Sequence, residues 1–205
     1  MKVALQFERK IMPFRKRRGN FVRKALYLLI GAIVIVAAYA GYLCLTNNFH
    51  IVVADELYRS AQPTETQIAE YKTGYGIQTI INLRGENSGS PWYDKEVETA
   101  KKLGIELINF RMSAKEDLTH EQVSALIHIL ENAKKPILVH CMHGADRSGL
   151  AAAFYLAAVA HQGERAAERQ LSIRFGHIGI PHLFSAYAMD RTFEKMEPTL
   201  GFSGS

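Results

Sequence analysis

The sequence predicts an α/β domain with a mostly parallel central sheet flanked by helices, preceded by one N-terminal transmembrane helix. Two patterns carry the domain prediction. Short β-branched runs alternate with helix-like stretches, and the last run, "PILVHC" (136–141), stops at a glycine-bearing loop that leads into a helix. The third observation is "ALYLLIGAIVIVAAYAGYLCL", Ala25 to Leu45, with 21 residues and no charge.

Of the 25 Lys/Arg and 20 Asp/Glu residues, nine basic residues and one acid (Glu8) fall in residues 1–24. The formal charge of +5 therefore describes a tail, and the remainder is slightly acidic. No basic stripe with interleaved aromatics follows, which argues against a nucleic-acid partner. A helix over residues 25–45 spans roughly 30 Å, the thickness of a bilayer's hydrocarbon core. The basic tail ahead of it stays cytoplasmic by the positive-inside rule, and all that follows lies on the far side. Ala38-Tyr39-Ala40 has the small-x-small form of a cleavage site, so an exported soluble form cut near Ala40 is the alternative. The expected plan is a basic cytoplasmic tail (1–24), an anchor or uncleaved signal (25–45), a folded domain (46–197) and a flexible end (198–205).

Within the domain, "IQTIINL" (77–83), "IELINF" (105–110) and "PILVHC" read as strands. Helices are expected after Pro63, over "PWYDKEVETAKKLG", and over "THEQVSALIHILENA", where Thr119 and Gln122 form a capping box. "RSGLAAAFYLAAVAHQG" reads as a buried helix, with two amphipathic helices after it reaching about Glu197. Parallel sheets bind ligands beyond the carboxyl ends of their strands.

The loop after "PILVHC" lies at that edge. A short loop entering a helix N-terminus aims successive N–H groups inward and forms an anion cradle with the helix dipole. The same field favours thiolate over thiol at Cys141. Gly144 permits a loop conformation without a side-chain clash. Arg147 can fold back to grip two oxygens of a tetrahedral oxyanion. With Cys44 in the apolar segment, Cys141 has no disulfide to make. Thiolate, donors and guanidinium together describe a phosphoryl-transfer nucleophile site.

"HCMHGADRSG" resembles the HCxxGxxR[ST]G signature of the cysteine-dependent protein tyrosine and dual-specificity phosphatases. With "LYRSAQP" (57–63) upstream, the chain is similar to their compact bacterial branch over about residues 50–190. The resemblance implies a dual-specificity phosphatase-like fold without cofactor and a phosphocysteine on Cys141. It further implies phosphate binding by Arg147, a leaving-group role for Ser148, and support of the loop by His140. Met142, His143, Gly144, Ala145 and Asp146 would line the phosphate. The branch also needs a general acid on an upstream loop. Asp117 of "SAKEDLT" is the choice and Glu116 the runner-up. Arg84, ending "IINLR", either adds positive charge near the substrate or pairs with Glu86 or Asp94.

No metal-ligand set is read from the eight His residues, and His177 and His182 read as loop residues. The loop lacks extra Lys, which favours phosphorylated proteins over inositol phosphates as substrate. The anchor keeps a phospholipid substrate open, and an inactive phospho-binding module is the third reading. The expected location is the inner membrane, single-pass, with a periplasmic catalytic domain.

Overall fold

The computed structural model describes residues 15–202, with side chains from Phe21. The chain divides into two compact units, Met1–Gly41 and Tyr42–Ser205. Helix α1, Arg15–Leu45, supplies the described part of the first unit and continues into the second. Its Phe21–Leu45 stretch is long and apolar enough to cross a membrane. Asn47 and Asn48 (φ 52° and 46°) end it, with the Asn48 N–H bonded to the Leu43 carbonyl at 2.7 Å. Asn tolerates this left-handed conformation at a helix C-terminus. The first fourteen residues of the expected cytoplasmic tail lie outside the described residues.

The second unit is a five-stranded sheet ordered β1-β2-β5-β3-β4. Strands β1 (His50–Val53) and β2 (Leu57–Ser60) pair antiparallel, and the remaining neighbours pair in parallel. The other strands are β3 (Thr79–Asn82), β4 (Glu106–Asn109) and β5 (Ile137–His140). Every residue of β2, β3 and β5 is buried, as expected of parallel strands covered on both faces. Alternation then divides the core. Leu57, Ile81, Ile137 and Val139 face a cluster with Leu126, Phe154 and Phe193; Tyr58, Ile80 and Leu138 face Ile68, Tyr71 and Ile105.

Helix α2 (Glu65–Tyr75) starts at a Thr64–Gln67 capping box and stops at Gly76 (φ 69°). α3 spans Pro91–Lys102, with proline in its first turn. α4 (His120–Asn132) opens with the expected Thr119–Gln122 box. The stretch after the cysteine loop is α5 (Asp146–Phe154) running into a π-helical turn, Tyr155–Val159. Beyond it the two expected amphipathic helices are unequal. α6 (Glu164–Glu168) is barely more than one turn, and only α7 (Tyr187–Met196) is substantial. Between them a short 3₁₀ turn, Ile173–Phe175, stops at Gly176 (φ 79°). Within the expected flexible end, Leu200 and Phe202 pack on the core; residues 203–205 lie outside the described residues.

In register, Ser60, His140, Asn82 and Asn109 stand side by side as the last residues of the four parallel strands. This polar row marks the carboxyl edge, and the loops after it build the site.

Candidate active site

β5 delivers Cys141 to this edge, 2 % exposed, at the start of the loop that becomes α5. No side chain caps α5, so its first N–H groups have no side-chain acceptor. Cys141 Sγ lies 3.5 Å from Ser148 Oγ, and Ser148 is fully buried. Gly144 has φ 69°, and a Cβ there would sit 2.6 Å from the Ala61 nitrogen. Only glycine lets the loop pass so close to the end of β2.

Arg147 spends Nη1 on the carbonyls of Leu83 (3.4 Å) and Met112 (3.3 Å), while its Nε is buried without a hydrogen-bond partner. The guanidinium is thus fixed along one side with an unused donor beside it. His140 Nε2 stands 2.6 Å from Glu96 Oε1 of α3, both side chains fully buried. Met142 and His143 are exposed, Ala145 is buried, and Asn48 donates to the His143 carbonyl at 2.9 Å.

Asp146 binds His177 Nδ1 at 2.7 Å, while His177 Nε2 meets Asp190 of α7 at 2.9 Å. Burial opposes charge on His177, but hydrogen bonds to Asp146 and then Asp190 outweigh it and raise its pKa to about 9. His177 is therefore a buried cation clasping the loop to α7, more than a loop residue. Its stabilising effect is complete below 6.5, the unfolded value, and is lost as pH rises through about 9. Thermal midpoints of the wild type are expected to fall across that window, and those of His177→Gln to stay level.

Asp117 is engaged elsewhere. Its Oδ1 accepts from Arg191 Nη2 at 2.7 Å and its Oδ2 from Lys195 Nζ at 2.6 Å, both on α7. Arg191 first, then Lys195, hold its pKa below the usual carboxylate value. In this arrangement it is a carboxylate and not a proton donor. Glu116 is exposed.

Arg84 pairs with neither Glu86 nor Asp94, which bind Ser88 and the Gly89 N–H instead. Its guanidinium lies 3.4 Å from the centroid of Trp92 and donates to Gln62 at 2.9 Å. Burial and then the neighbouring Arg147 charge lower its pKa. Two guanidinium groups close enough to repel make this end of the sheet strongly anion-seeking.

Three participants escaped the sequence reading. Arg59, fully buried on β2, donates through Nη2 to the carbonyls of Gly144 (2.9 Å) and Ala145 (2.7 Å). Its Nη1 donates to the Gln170 carbonyl at 2.8 Å, and Phe175 lies 4.3 Å across its face. A cation in a wholly buried strand was the available signal. Glu96, on the apolar side of α3 with Tyr93 and Ala100, offered a similar one. Trp92 offered none.

A model of the family described as "DSP-PTPase phosphatase fused to NAD+ Kinase" matches residues 49–179. The chain belongs to this phosphatase family. No curated protein matches the phosphatase. Among solved structures it is similar to TpbA of P. aeruginosa, at 22 % identity over 76 % of this chain and 92 % of that one, TM-score 0.57. It is also similar to the catalytic domain of the PP-IP phosphatase SIW14 of S. cerevisiae, at 20 % identity over 75 % and 93 %, TM-score 0.56. Tk-PTP in its active form gives 17 % identity over 72 % and 97 %, TM-score 0.53. At these identities the likeness establishes the α/β fold of the cysteine-dependent tyrosine and dual-specificity phosphatases.

Proposed function

We propose that the chain hydrolyses phosphomonoesters through a phosphocysteine at Cys141, acting on phosphotyrosine and on phosphoserine or phosphothreonine of proteins. One observation carries the reading: Arg59 takes the Gly144 and Ala145 carbonyls away from the cradle, leaving loop N–H groups and the Arg147 Nε for an anion. The Cys141 thiolate attacks phosphorus, and the ester oxygen leaves with a proton from Asp117. Water then breaks the S–P bond, giving its proton to Asp117, while Ser148 Oγ donates to the departing sulfur. Arg147 and the N–H groups hold the equatorial oxygens throughout. Asp117 reaches this role on leaving Arg191 and Lys195, since between them it stays ionised.

TpbA has been captured with phosphotyrosine, which supports a protein substrate. The apolar Phe21–Leu45 helix favours a second reading, a phospholipid phosphate met at the membrane. In either case the domain is read as periplasmic, held to the inner membrane by that helix. The test is the wild type against Asp117→Asn on a phosphotyrosine peptide, p-nitrophenyl phosphate and phosphatidylglycerophosphate. The peptide is expected to be turned over in preference to the lipid. Asp117→Asn is expected to lower kcat on the peptide by about 10²-fold and far less on p-nitrophenyl phosphate, whose leaving group needs little protonation. Preference for the lipid favours the second reading. Tight peptide binding without turnover marks an inactive binding module.

A further inference from the structure

The stretch between α6 and α7 has an unusual surface. Ile173 is 72 % exposed, Leu183 69 %, Ile180 47 % and Phe184 42 %. Large apolar side chains gathered this densely in solvent mark a surface that something covers. The root of the stretch is tied to the residues that follow the apolar helix. Asn48 Nδ2 donates to the Phe175 carbonyl at 2.9 Å, and the His50 ring meets Phe175 edge-on at 4.7 Å. A Cβ placed on Gly176 would lie 3.3 Å from Leu43, which belongs to the last turn of α1. Where Phe21–Leu45 spans a bilayer, Leu43 is at its edge, and the 173–184 stretch begins beside it.

A cavity of about 430 Å³ adjoins that root. Val52, Leu156 and Phe175 give it apolar walls, and Arg169 and Arg174 add two cations. Apolar side chains beside guanidinium groups match the boundary between acyl chains and anionic headgroups. Charge and position therefore select a lipid surface over a protein partner.

We propose that the 173–184 stretch docks on an anionic phospholipid bilayer, its apolar side chains entering the interface and Arg169 and Arg174 receiving a lipid phosphate. The inference rests on Phe21–Leu45 being a retained membrane anchor. Asn48 binds both the His143 carbonyl of the cysteine loop and the Phe175 carbonyl at the root of this stretch. Docking thus seats the catalytic loop close to the membrane surface, where its substrates would be met.

The test uses the full chain reconstituted into vesicles of phosphatidylcholine and phosphatidylglycerol with brominated acyl chains. Ile180→Trp is compared with Val97→Trp on α3, both retaining Trp92. The Ile180→Trp chain is expected to lose fluorescence to bromine, and the Val97→Trp chain to lose none beyond the wild type. Adding Leu183→Asp and Phe184→Asp is expected to restore the lost signal. Arg169→Gln with Arg174→Gln is expected to remove the dependence on phosphatidylglycerol. Equal quenching at both positions overturns the proposal, as does protection of position 180 by another protein with no quenching. Flotation separates the two levels. A chain that fails to float with vesicles overturns the anchor and the docking together, while one that floats with Ile180→Trp unquenched overturns docking alone.

Discussion

Cys141→Ser is expected to fold as the wild type does and to release phosphate from p-nitrophenyl phosphate more slowly by a factor on the order of 10⁴ or more. The exchange is nearly isosteric at a buried position, and the new hydroxyl finds a partner in Ser148, whose Oγ already stands 3.5 Å from the sulfur. Packing and polar satisfaction are therefore kept. The nucleophile is not kept. The cradle's field suffices to favour a thiolate, but a serine hydroxyl is far too weak an acid to be held as an alkoxide. The donors that remain still bind a phosphate dianion, so the variant should retain phosphopeptide without turning it over. Circular dichroism, steady-state rates and peptide retention on one preparation check the three parts. Turnover within tenfold of the wild type would show that Cys141 is not the nucleophile.

The chemistry-bearing loop was legible because its constraints are local. Cys141, Gly144, Arg147 and Ser148 lie within eight residues, and a strand running into a helix N-terminus leaves them little choice of arrangement. The three longer strand runs and the Thr119 capping box were legible for the same reason. The β1–β2 hairpin was not, since β1 (HIVV) is only partly buried and β2 (LYRS) carries Arg and Ser, so neither reads as an apolar run. α6 misled in the other direction: "ERAAE" has helical spacing and good propensity, but Gly163 opens it and turns follow it closely.

Distance in sequence hid the rest. Arg59 acts on carbonyls 85 and 86 residues away, and Glu96 reaches a histidine on another element. Asp117 lies in the loop that follows β4. Its partners Arg191 and Lys195 come from α7, 74 and 78 residues on. The same helix holds the cysteine loop through Asp190 and His177. One late helix thus grips both the nucleophile's loop and the candidate acid's loop, a coupling that no local pattern announces.

Arg59→Lys is expected to show whether the cradle is organised from behind. The Arg59 guanidinium makes four hydrogen bonds, to Gly144, Ala145 and both the carbonyl and side chain of Gln170. Burial lowers its pKa to about 9, with Cys141 and then Asp146 acting in the opposite direction, so it is still charged at neutral pH. Lysine keeps the charge but not the planar fork, and the three donors of one ammonium cannot replace two nitrogens that hold four acceptors between them. Each carbonyl left unpaired costs about 1–3 kcal/mol, so a total near 3–5 kcal/mol and a fall of roughly 10 °C in thermal midpoint are expected. Because the Gly144 and Ala145 carbonyls would be free to rotate, the N–H groups opposite them lose their aim. kcat is then expected to drop by about 10²-fold, the scale of one misdirected oxyanion donor. Vanadate affinity, measured well below the variant's melting point, separates this from simple loosening. A strut in the core would lower the midpoint and leave vanadate binding intact, whereas a guanidinium that sets the donors must weaken both.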